Sequence, residues 1–246
     1  MHRFYISSSP ERDGAIVITG TEAYHAARVL RLHPGMKALV FDDSGRQWKM
    51  EVTAAEKGRV EGRIIAEEPA ASESGVSITL AAAILKGERM EFLLQKGTEL
   101  GVKFFMPLIT SRTVVRLSPS EYDSKAQRWQ KVVMEATKQC GRSFIPKVFL
   151  PERIDSFAPR AGAYDHVLLC WEKEAGISLK RSLPHPGVKP EKILILTGPE
   201  GGWAASEVDF FRRYGAKTVS LGPRILRAET AGIVLISALL FHLQEI

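Results

Sequence analysis

The chain has 246 residues, of which 45% are hydrophobic and 25% are charged. This length fits one or two domains with a sizeable core, and the composition excludes disorder, collagen and coiled coil as descriptions of the whole chain. Two cysteines, Cys140 and Cys170, are too few for a disulfide framework or a four-thiolate zinc site, so we expect a reducing, cytoplasmic location. We expect no signal peptide, and the longest uncharged run, 230–244, is too short to span a membrane.

Residues 1–70 predict a small β-rich domain with one helix. Five strands are expected where apolar and polar residues partly alternate: 3–7, 15–19, 38–42, 48–55 and 59–67. Thr21 is the expected N-cap of a helix over 22–32, which ends before a Pro-Gly pair. Linker composition at 68–75 then separates this domain from a second one, which we place at 75–246.

In the second domain, strands and helices alternate, which is typical of an α/β domain with a mainly parallel sheet. The expected strands are 76–85, 104–109, 166–171, 192–197 and 218–221. The expected helices are 89–100, 124–140, 204–214 and 229–243. The last helix is apolar nearly all round, so it must be covered on most sides, either within a monomer or partly by a second subunit.

The formal net charge of +6 is unevenly distributed. Residues 86–147 carry 12 basic and 6 acidic groups, so this stretch accounts for the whole surplus. A local basic surplus is typical of a surface that binds a polyanion such as nucleic acid. A solvated helix face with scattered lysines would give the same count.

Two glycine-containing loops follow neighbouring strands of the second domain. The first glycine loop, 198–202, reads Gly-Pro-Glu-Gly-Gly, and the second, 221–227, reads Leu-Gly-Pro-Arg-Ile-Leu-Arg. Ligands of α/β sheets bind at the carboxyl ends of strands, and glycine lets the backbone approach a ligand closely. The first loop alone could be a tight turn, but the pair could hold one flat ligand between them. Neither loop has a phosphate-binding glycine pattern.

Together these residues resemble the SPOUT class of S-adenosylmethionine-dependent RNA methyltransferases. They resemble most closely the RsmE family (ribosomal RNA small subunit methyltransferase E), which methylates N3 of a uridine in 16S rRNA. Three further motifs support the likeness. The family's first-helix motif is similar to residues 85–91 and 95–102, and its second helix and turn are similar to residues 135–142 with Pro146. Its PUA-like RNA-binding domain is similar to residues 3–5 and 25–31. Departures are small, such as Thr197 and Cys140 at positions where other residues are commoner.

The resemblance implies a SPOUT-type α/β domain, with a trefoil-knotted, mainly parallel sheet, preceded by a small β-rich PUA-like domain. It also implies a homodimer, S-adenosylmethionine as methyl donor, and 16S rRNA or the small ribosomal subunit as partner, with no membrane association. We expect no metal, because the donor brings an activated methyl group. Two other readings stay open: a SPOUT enzyme with another RNA target, and an RNA-binding ribosome-assembly protein without catalysis.

For the donor site, the resemblance implies backbone contacts from both glycine loops and the strand end before the first: Thr197, Gly198, Pro199, Gly201, Gly202, Leu221, Gly222, Ile225 and Leu226. Residues 169–172, at the end of an earlier strand, would either complete the pocket wall or simply pack in the sheet. Arg227 is the first candidate for stabilising negative charge on uridine, because N3 must lose a proton before it attacks. Glu200 and Glu229 are the candidate carboxylates, either as base or as partners that fix an arginine. Glu229 could instead stabilise a helix N-terminus.

The candidate RNA contacts are basic residues at or near the motifs: Arg3, His25, Arg28, Arg31, Lys86, Arg89, Lys96, Arg112, Lys138 and Arg142. Lys96 could instead pair with Glu99, three residues further along a helix. His25, Arg28 and Arg31 recur on one helix face, which could bind RNA or simply be solvated.

Overall fold

The computed structural model describes residues 1–7, 10, 14–70, 73–174, 179–184 and 190–246. They form two compact units, the first from Met1–Glu73 with Thr137–Ile145 and the second from Ser74–Ala136 with Pro146–Ile246. The sequence division placed every residue after 75 in the second domain, whereas the structure groups 137–145 with the first unit. The reason is a set of long-range bonds inside that unit: Arg3 donates to the carbonyl oxygens of Gly141 and Arg142, at 2.8 and 2.9 Å.

The first unit contains a five-stranded sheet. Its strands are β1 (Arg3–Tyr5), β2 (Ala15–Thr19), β3 (Lys37–Phe41), β4 (Gln47–Glu56) and β5 (Arg59–Glu68). Their order is β1-β3-β4-β5-β2, and every neighbouring pair is antiparallel except β1 with β3. Alternate residues such as Phe4, Val40 and Met50 are fully buried, so the alternation read from the sequence does mark the core face.

The helix of this unit differs from its prediction. It begins at Gly20, as α1 (Gly20–Tyr24), continues as a π-helical turn over His25–Val29, and has Thr19 at its N-cap. Thr21 therefore lies inside the helix and is not its cap. The backbone then enters the left-handed region at Arg31, with φ of 53°, and Leu32 is buried, with its N–H bonded to the Ala26 carbonyl oxygen. The helix ends earlier than predicted because Leu32 turns into the core.

The second unit contains a parallel sheet. Its strands are β6 (Ser77–Ala83), β7 (Phe104–Ile109), β8 (Lys147–Val148), β9 (Glu152–Arg153), β10 (His166–Cys170), β11 (Lys192–Thr197) and β12 (Lys217–Val219). Their order is β12-β10-β11-β6-β7-β8, with β9 also paired to β7, and all pairs are parallel. The predicted mainly parallel α/β fold is confirmed. The two-residue strands β8 and β9 carry no periodic signal and were not predicted.

The helices that follow these strands lie close to their predicted positions. They are α2 (Arg89–Glu99), α3 (Tyr122–Cys140), α4 (Ile154–Phe157), α5 (Leu179–Ser182), α6 (Ala205–Arg213) and α7 (Ala228–His242). Only α4 and α5, of four residues each, were not predicted. In the described part of the chain, no helix combines the length and apolar character needed to cross a membrane.

Both faces of the parallel sheet are buried, as the continuous apolar run of β11 shows. Ile193 and Ile195 pack into a cluster with residues of α2 and α7, whereas Leu194 and Leu196 pack into a second cluster that includes Trp203. A strand buried on both faces reads as continuous apolar sequence. Strand β11 ends at Thr197, where the first glycine loop begins. The trefoil knot implied by the resemblance stays a prediction.

Candidate functional site

A cavity of about 510 Å³ lies at the carboxyl ends of β10, β11 and β12. It is lined by Arg89, by residues 170–172, 197–203 and 219–228, and by Ala231. The structure thus brings together in one wall all nine residues predicted for the donor site, along with Glu200 and Arg227. It does so because the carboxyl ends of parallel strands meet at one edge of the sheet. Leu169 is fully buried in the core and lies behind the wall.

The first glycine loop is shaped around the indole of Trp203. The indole Nε1–H donates to the Cys170 carbonyl oxygen at 3.0 Å, which joins the loop to the end of β10. A side chain at Gly198 would place its Cβ 3.0 Å from that indole nitrogen, so the loop passes close to the ring only because this position has no side chain. Trp203 was not singled out from the sequence, although an aromatic residue directly after a Gly-Gly pair was the available signal.

Gly202 has the second close approach in this loop. Its φ is +67°, in the left-handed region that favours glycine, and its N–H donates to the Pro199 carbonyl oxygen at 2.9 Å. A Cβ there would lie 2.5 Å from Oε1 of Glu172. Gly202 therefore lets the loop turn tightly and lets the Glu172 carboxylate lie against its backbone.

Arg112, predicted to contact RNA, is bonded to the first glycine loop. Its Nη1 donates to the carbonyl oxygens of Gly201 and Trp203, at 3.1 and 3.3 Å. Nearby, the buried carboxylate of Glu207 accepts the N–H groups of Ser111 and Ala204, at 2.7 and 2.9 Å. These bonds attach the loop and the start of α6 to the segment after β7. A role of Arg112 in supporting the loop is thus visible only in the structure.

Glu200, in the same loop, is bonded to the segment between β6 and α2. Its Oε1 accepts the backbone N–H of Lys86 at 2.9 Å and lies 3.6 Å from Nη1 of Arg89. Of the two roles considered for this carboxylate, base or partner of an arginine, the geometry matches the second. Lys86 and Arg89, both candidate RNA contacts, therefore lie at the rim of the cavity.

The second glycine loop is largely open to solvent. Ile225 is 85% exposed, and Arg227 is also exposed, at the N-cap of α7, where its carbonyl oxygen accepts the N–H of Ala231. Gly222 has φ of +105°, a backbone conformation that favours glycine. Arg227 is thus an exposed cation on the cavity wall.

Glu229 lies behind the cavity wall. It is only 7% exposed, sits in the first turn of α7, and does not line the cavity. Among the described residues its Oε2 has no hydrogen-bond partner. A buried carboxylate in the first turn stabilises the helix N-terminus through the helix dipole. The structure therefore favours the helix-stabilising alternative for Glu229 over the base.

Cys170 contributes its backbone to the site, while its thiol is inert. Burial raises the pKa of this thiol to about 12, because the desolvated thiolate is disfavoured. A thiol that stays protonated is a poor nucleophile. Over the ranges that the structure describes, no three His, Cys, Asp or Glu side chains come together as a metal site.

Besides Arg89 and Arg112, four more of the candidate RNA cations have partners within the protein. The Nζ of Lys138 lies 2.7 Å from Oε1 of Glu22, and that lysine side chain is 8% exposed. Arg142, 9% exposed, donates to both oxygens of Glu73, and Arg3 bonds to backbone carbonyls as described above. Lys96 pairs with Glu99 at 2.7 Å, which is the alternative that its spacing left open. Their bonds within the protein do not support RNA contact by these four.

Arg28, by contrast, is exposed on the helical segment of the first unit, and Arg31 is exposed beyond its end. The predicted helix face of His25, Arg28 and Arg31 therefore does not include Arg31, whose backbone is left-handed. Tyr24 and Val29 of the same segment are 53% and 60% exposed, and His25 packs edge-on against Phe4. Exposed cations and an exposed aromatic ring within one short stretch of chain are typical of a surface that binds RNA. Tyr24 was not singled out from the sequence.

Comparisons with known proteins agree with this architecture. Residues 72–240 match the family model of an RNA methyltransferase domain, and residues 18–65 match that of an RNA methyltransferase PUA domain. The predicted PUA-like domain, followed by a methyltransferase domain, is confirmed.

Relatives cover the chain almost from end to end. Ribosomal RNA small subunit methyltransferase E of Bacillus subtilis is 30% identical over an alignment of 248 positions, which covers 98% of this chain and 97% of that protein. The Synechocystis protein of the same name is 33% identical over 95% of this chain and 75% of its own length. The crystal structure of the Neisseria gonorrhoeae protein of that name, bound to S-adenosyl methionine, superposes with a TM-score of 0.88 at 31% identity over 98% of this chain and 97% of its own. The chain therefore belongs to the ribosomal RNA small subunit methyltransferase E family.

Proposed function

We propose that this protein transfers a methyl group from S-adenosylmethionine to N3 of a uridine in 16S rRNA. The observation that carries the proposal is the single cavity that both glycine loops form at the ends of β11 and β12. The family of the chain, and the donor bound in the Neisseria gonorrhoeae structure, support the same conclusion.

The cavity suits such a donor. Its volume of about 510 Å³ lies within the range of small-molecule sites, which is roughly 300–1,000 Å³. The bare backbone of Gly198 and Gly202 packs against Trp203 and Glu172, and these contacts hold the first glycine loop in place on the cavity wall. The donor supplies an already activated methyl group, so the protein mainly positions the two substrates for an in-line displacement.

We assign Arg227 to the acceptor. Its exposed guanidinium, on the cavity wall at the start of α7, would stabilise the negative charge that uridine acquires when N3 loses its proton. Glu200 acts as a positioning residue, because it holds Arg89 and the Lys86 N–H at the rim. Glu229 stabilises α7 from behind the wall.

The RNA partner would be held by the first unit as well. Arg28 and Arg31 would neutralise phosphates, and Tyr24 offers a ring on which an unpaired base could stack. We propose 16S rRNA or the small ribosomal subunit as this partner, in the cytoplasm.

A homodimer is the further assembly that we propose. The helix α7 packs on α2, yet Phe241, Val234 and, on α2, Phe92 are 75%, 38% and 46% exposed. Exposed apolar side chains on two packed helices are typical of a surface that another subunit covers.

The proposed reaction can be tested on RNA that lacks the modification. Small subunits from a strain without its own enzyme of this family would be incubated with the protein and S-adenosylmethionine, and their 16S rRNA digested to nucleosides. We expect 3-methyluridine by mass spectrometry. A methylated base other than 3-methyluridine, or no methylation despite donor binding in calorimetry, would contradict the proposal.

A further inference from the structure

The carboxylate of Glu172 occupies a defined place on the wall of the cavity. Glu172 lies two residues beyond the end of β10 and faces the first glycine loop. A Cβ at Gly202 would lie 2.5 Å from its Oε1 and 3.0 Å from its Cδ, so the carboxylate rests against bare backbone. The conformation of Gly202 thus makes room for this one acidic group.

The other carboxylates nearby already have partners. Glu200 holds the Lys86 N–H and lies 3.6 Å from Arg89. Glu174 accepts hydrogen bonds from Thr218 at 2.6 Å and from Arg212 at 3.3 Å. For the Glu172 carboxylate, no hydrogen bond or ion pair is found with any residue that the structure describes. Its negative charge is therefore available to a ligand in the cavity.

The segment that carries Glu172 is braced from outside the cavity. The Arg212 guanidinium lies 5.3 Å from the centre of the Trp171 ring, and its Nη2 donates to Oγ1 of Thr218 at 3.0 Å. Arg212 thus joins α6, the start of β12 and the residues on both sides of Glu172. A charged group that is already held in place loses little conformational entropy when a ligand binds to it.

We propose that Glu172 is the counter-charge for the positively charged methionyl part of the methyl donor. The inference rests on the proposed function, because it takes S-adenosylmethionine as the ligand. That donor carries two positive centres, the sulfonium and the α-ammonium. A carboxylate facing the sulfonium would also favour the donor over the demethylated product, whose sulfur is neutral.

Calorimetry with three ligands tests the proposal on the full chain. S-Adenosylmethionine has both positive centres, S-adenosylhomocysteine keeps only the ammonium, and 5′-methylthioadenosine has neither. Glu172→Gln keeps the shape of the side chain and its packing on Gly202 but removes its charge. We expect the variant to bind S-adenosylmethionine roughly tenfold more weakly, because an attraction between opposite charges is lost, and to bind 5′-methylthioadenosine like the wild type.

Binding of S-adenosylhomocysteine identifies which positive centre Glu172 faces, because this ligand keeps only the ammonium. Unchanged affinity for S-adenosylhomocysteine assigns the sulfonium, and an equal loss assigns the ammonium. Asp155→Asn, an exposed carboxylate outside the cavity, is the matched control and should change none of the three affinities. Unchanged affinity of Glu172→Gln for S-adenosylmethionine, or a loss of the same size for 5′-methylthioadenosine, would overturn the inference. If the wild type itself bound no S-adenosylmethionine, the proposed function would fail instead.

Discussion

The carboxylate of Glu200 accepts a hydrogen bond from the backbone N–H of Lys86 at 2.9 Å, although 114 residues separate the two. The same oxygen lies 3.6 Å from the guanidinium of Arg89, at the start of α2. The first glycine loop is therefore attached to the segment between β6 and α2. Since Glu200 and Arg89 both line the cavity, Glu200 is placed to set the shape of the site.

Substitution at Glu200 separates a positioning role from that of a base. Glu200→Gln still offers an oxygen to the Lys86 N–H, so we expect turnover within about threefold of wild type, whereas a lost general base costs roughly 100-fold or more. Glu200→Ala removes the attachment and should weaken donor binding. Steady-state kinetics and calorimetry on both variants measure these effects, and a 100-fold loss in Glu200→Gln would identify a base.

Arg227→Ala should separate chemistry from donor binding. Because the guanidinium is assigned to the uridine anion, we expect turnover to fall on the order of 100-fold, as for a removed oxyanion donor, with the Kd for S-adenosylmethionine unchanged. Arg224→Ala, an exposed arginine in the same loop, is the matched control and should lose far less turnover. Equal losses in the two variants would show that only the net positive charge of the loop matters.

Gly202→Ala should disrupt the donor site through two effects. The added Cβ would lie 2.5 Å from the Glu172 carboxylate, and the left-handed backbone costs a non-glycine residue about 1–2 kcal/mol. Gly215→Ala is the matched control, because its φ is +86° but a Cβ there meets nothing within 4 Å. We expect both variants to lose stability in urea unfolding and only Gly202→Ala to lose donor affinity by more than roughly tenfold. Normal donor affinity in Gly202→Ala would show that the loop can shift.

Arg142→Ala should act on stability. Its guanidinium is 9% exposed and bonds to both oxygens of Glu73, so its removal leaves a carboxylate without its partner and should cost about 3 kcal/mol of unfolding free energy. Arg28→Ala removes an exposed arginine of the same unit and should leave stability within about 0.5 kcal/mol of wild type. RNA binding, followed by fluorescence anisotropy, should weaken in Arg28→Ala. The assignment is wrong if Arg142→Ala unfolds like the wild type.

His166 should make the protein less stable in mild acid. Burial lowers the pKa of this histidine below its ordinary value of 6.5, and the ring contacts the Ser182 carbonyl oxygen. Between the lowered pKa and 6.5 the unfolded chain binds more protons at this histidine than the folded chain does. The free energy of unfolding therefore falls as the pH falls through that window, and above the window His166 costs no stability. His166→Gln lacks this titration. We therefore expect urea unfolding to show that the wild type loses more unfolding free energy than the variant when the pH is lowered from about 7.5 to about 5.5. A difference that does not change with pH would contradict the assignment.

Local pattern predicted much of the second unit. The continuous apolar run of β11 indicated a strand buried on both faces, and the glycine loop after it indicated a site at the carboxyl edge of the sheet. These patterns are readable because strand and helix periodicities are set by neighbouring residues along the chain. The strands β8 and β9 have only two residues each, which is too short to show an alternating pattern, so the sequence did not predict them.

The sequence by itself determined the kind of fold, and the order along the chain of the glycine loops and of the charged residues near them. Only the tertiary structure decided which of its charges stay available: Arg142 and Lys138 are bonded inside the first unit, Glu200 is bonded to Lys86, and Glu172 faces the cavity without a described partner. The physical reason is that a charged side chain pairs with the polar or oppositely charged groups that lie within a few ångströms of it, wherever they are in the sequence. For Glu200 and Lys86 that partner is 114 residues away, and no local periodicity reports it.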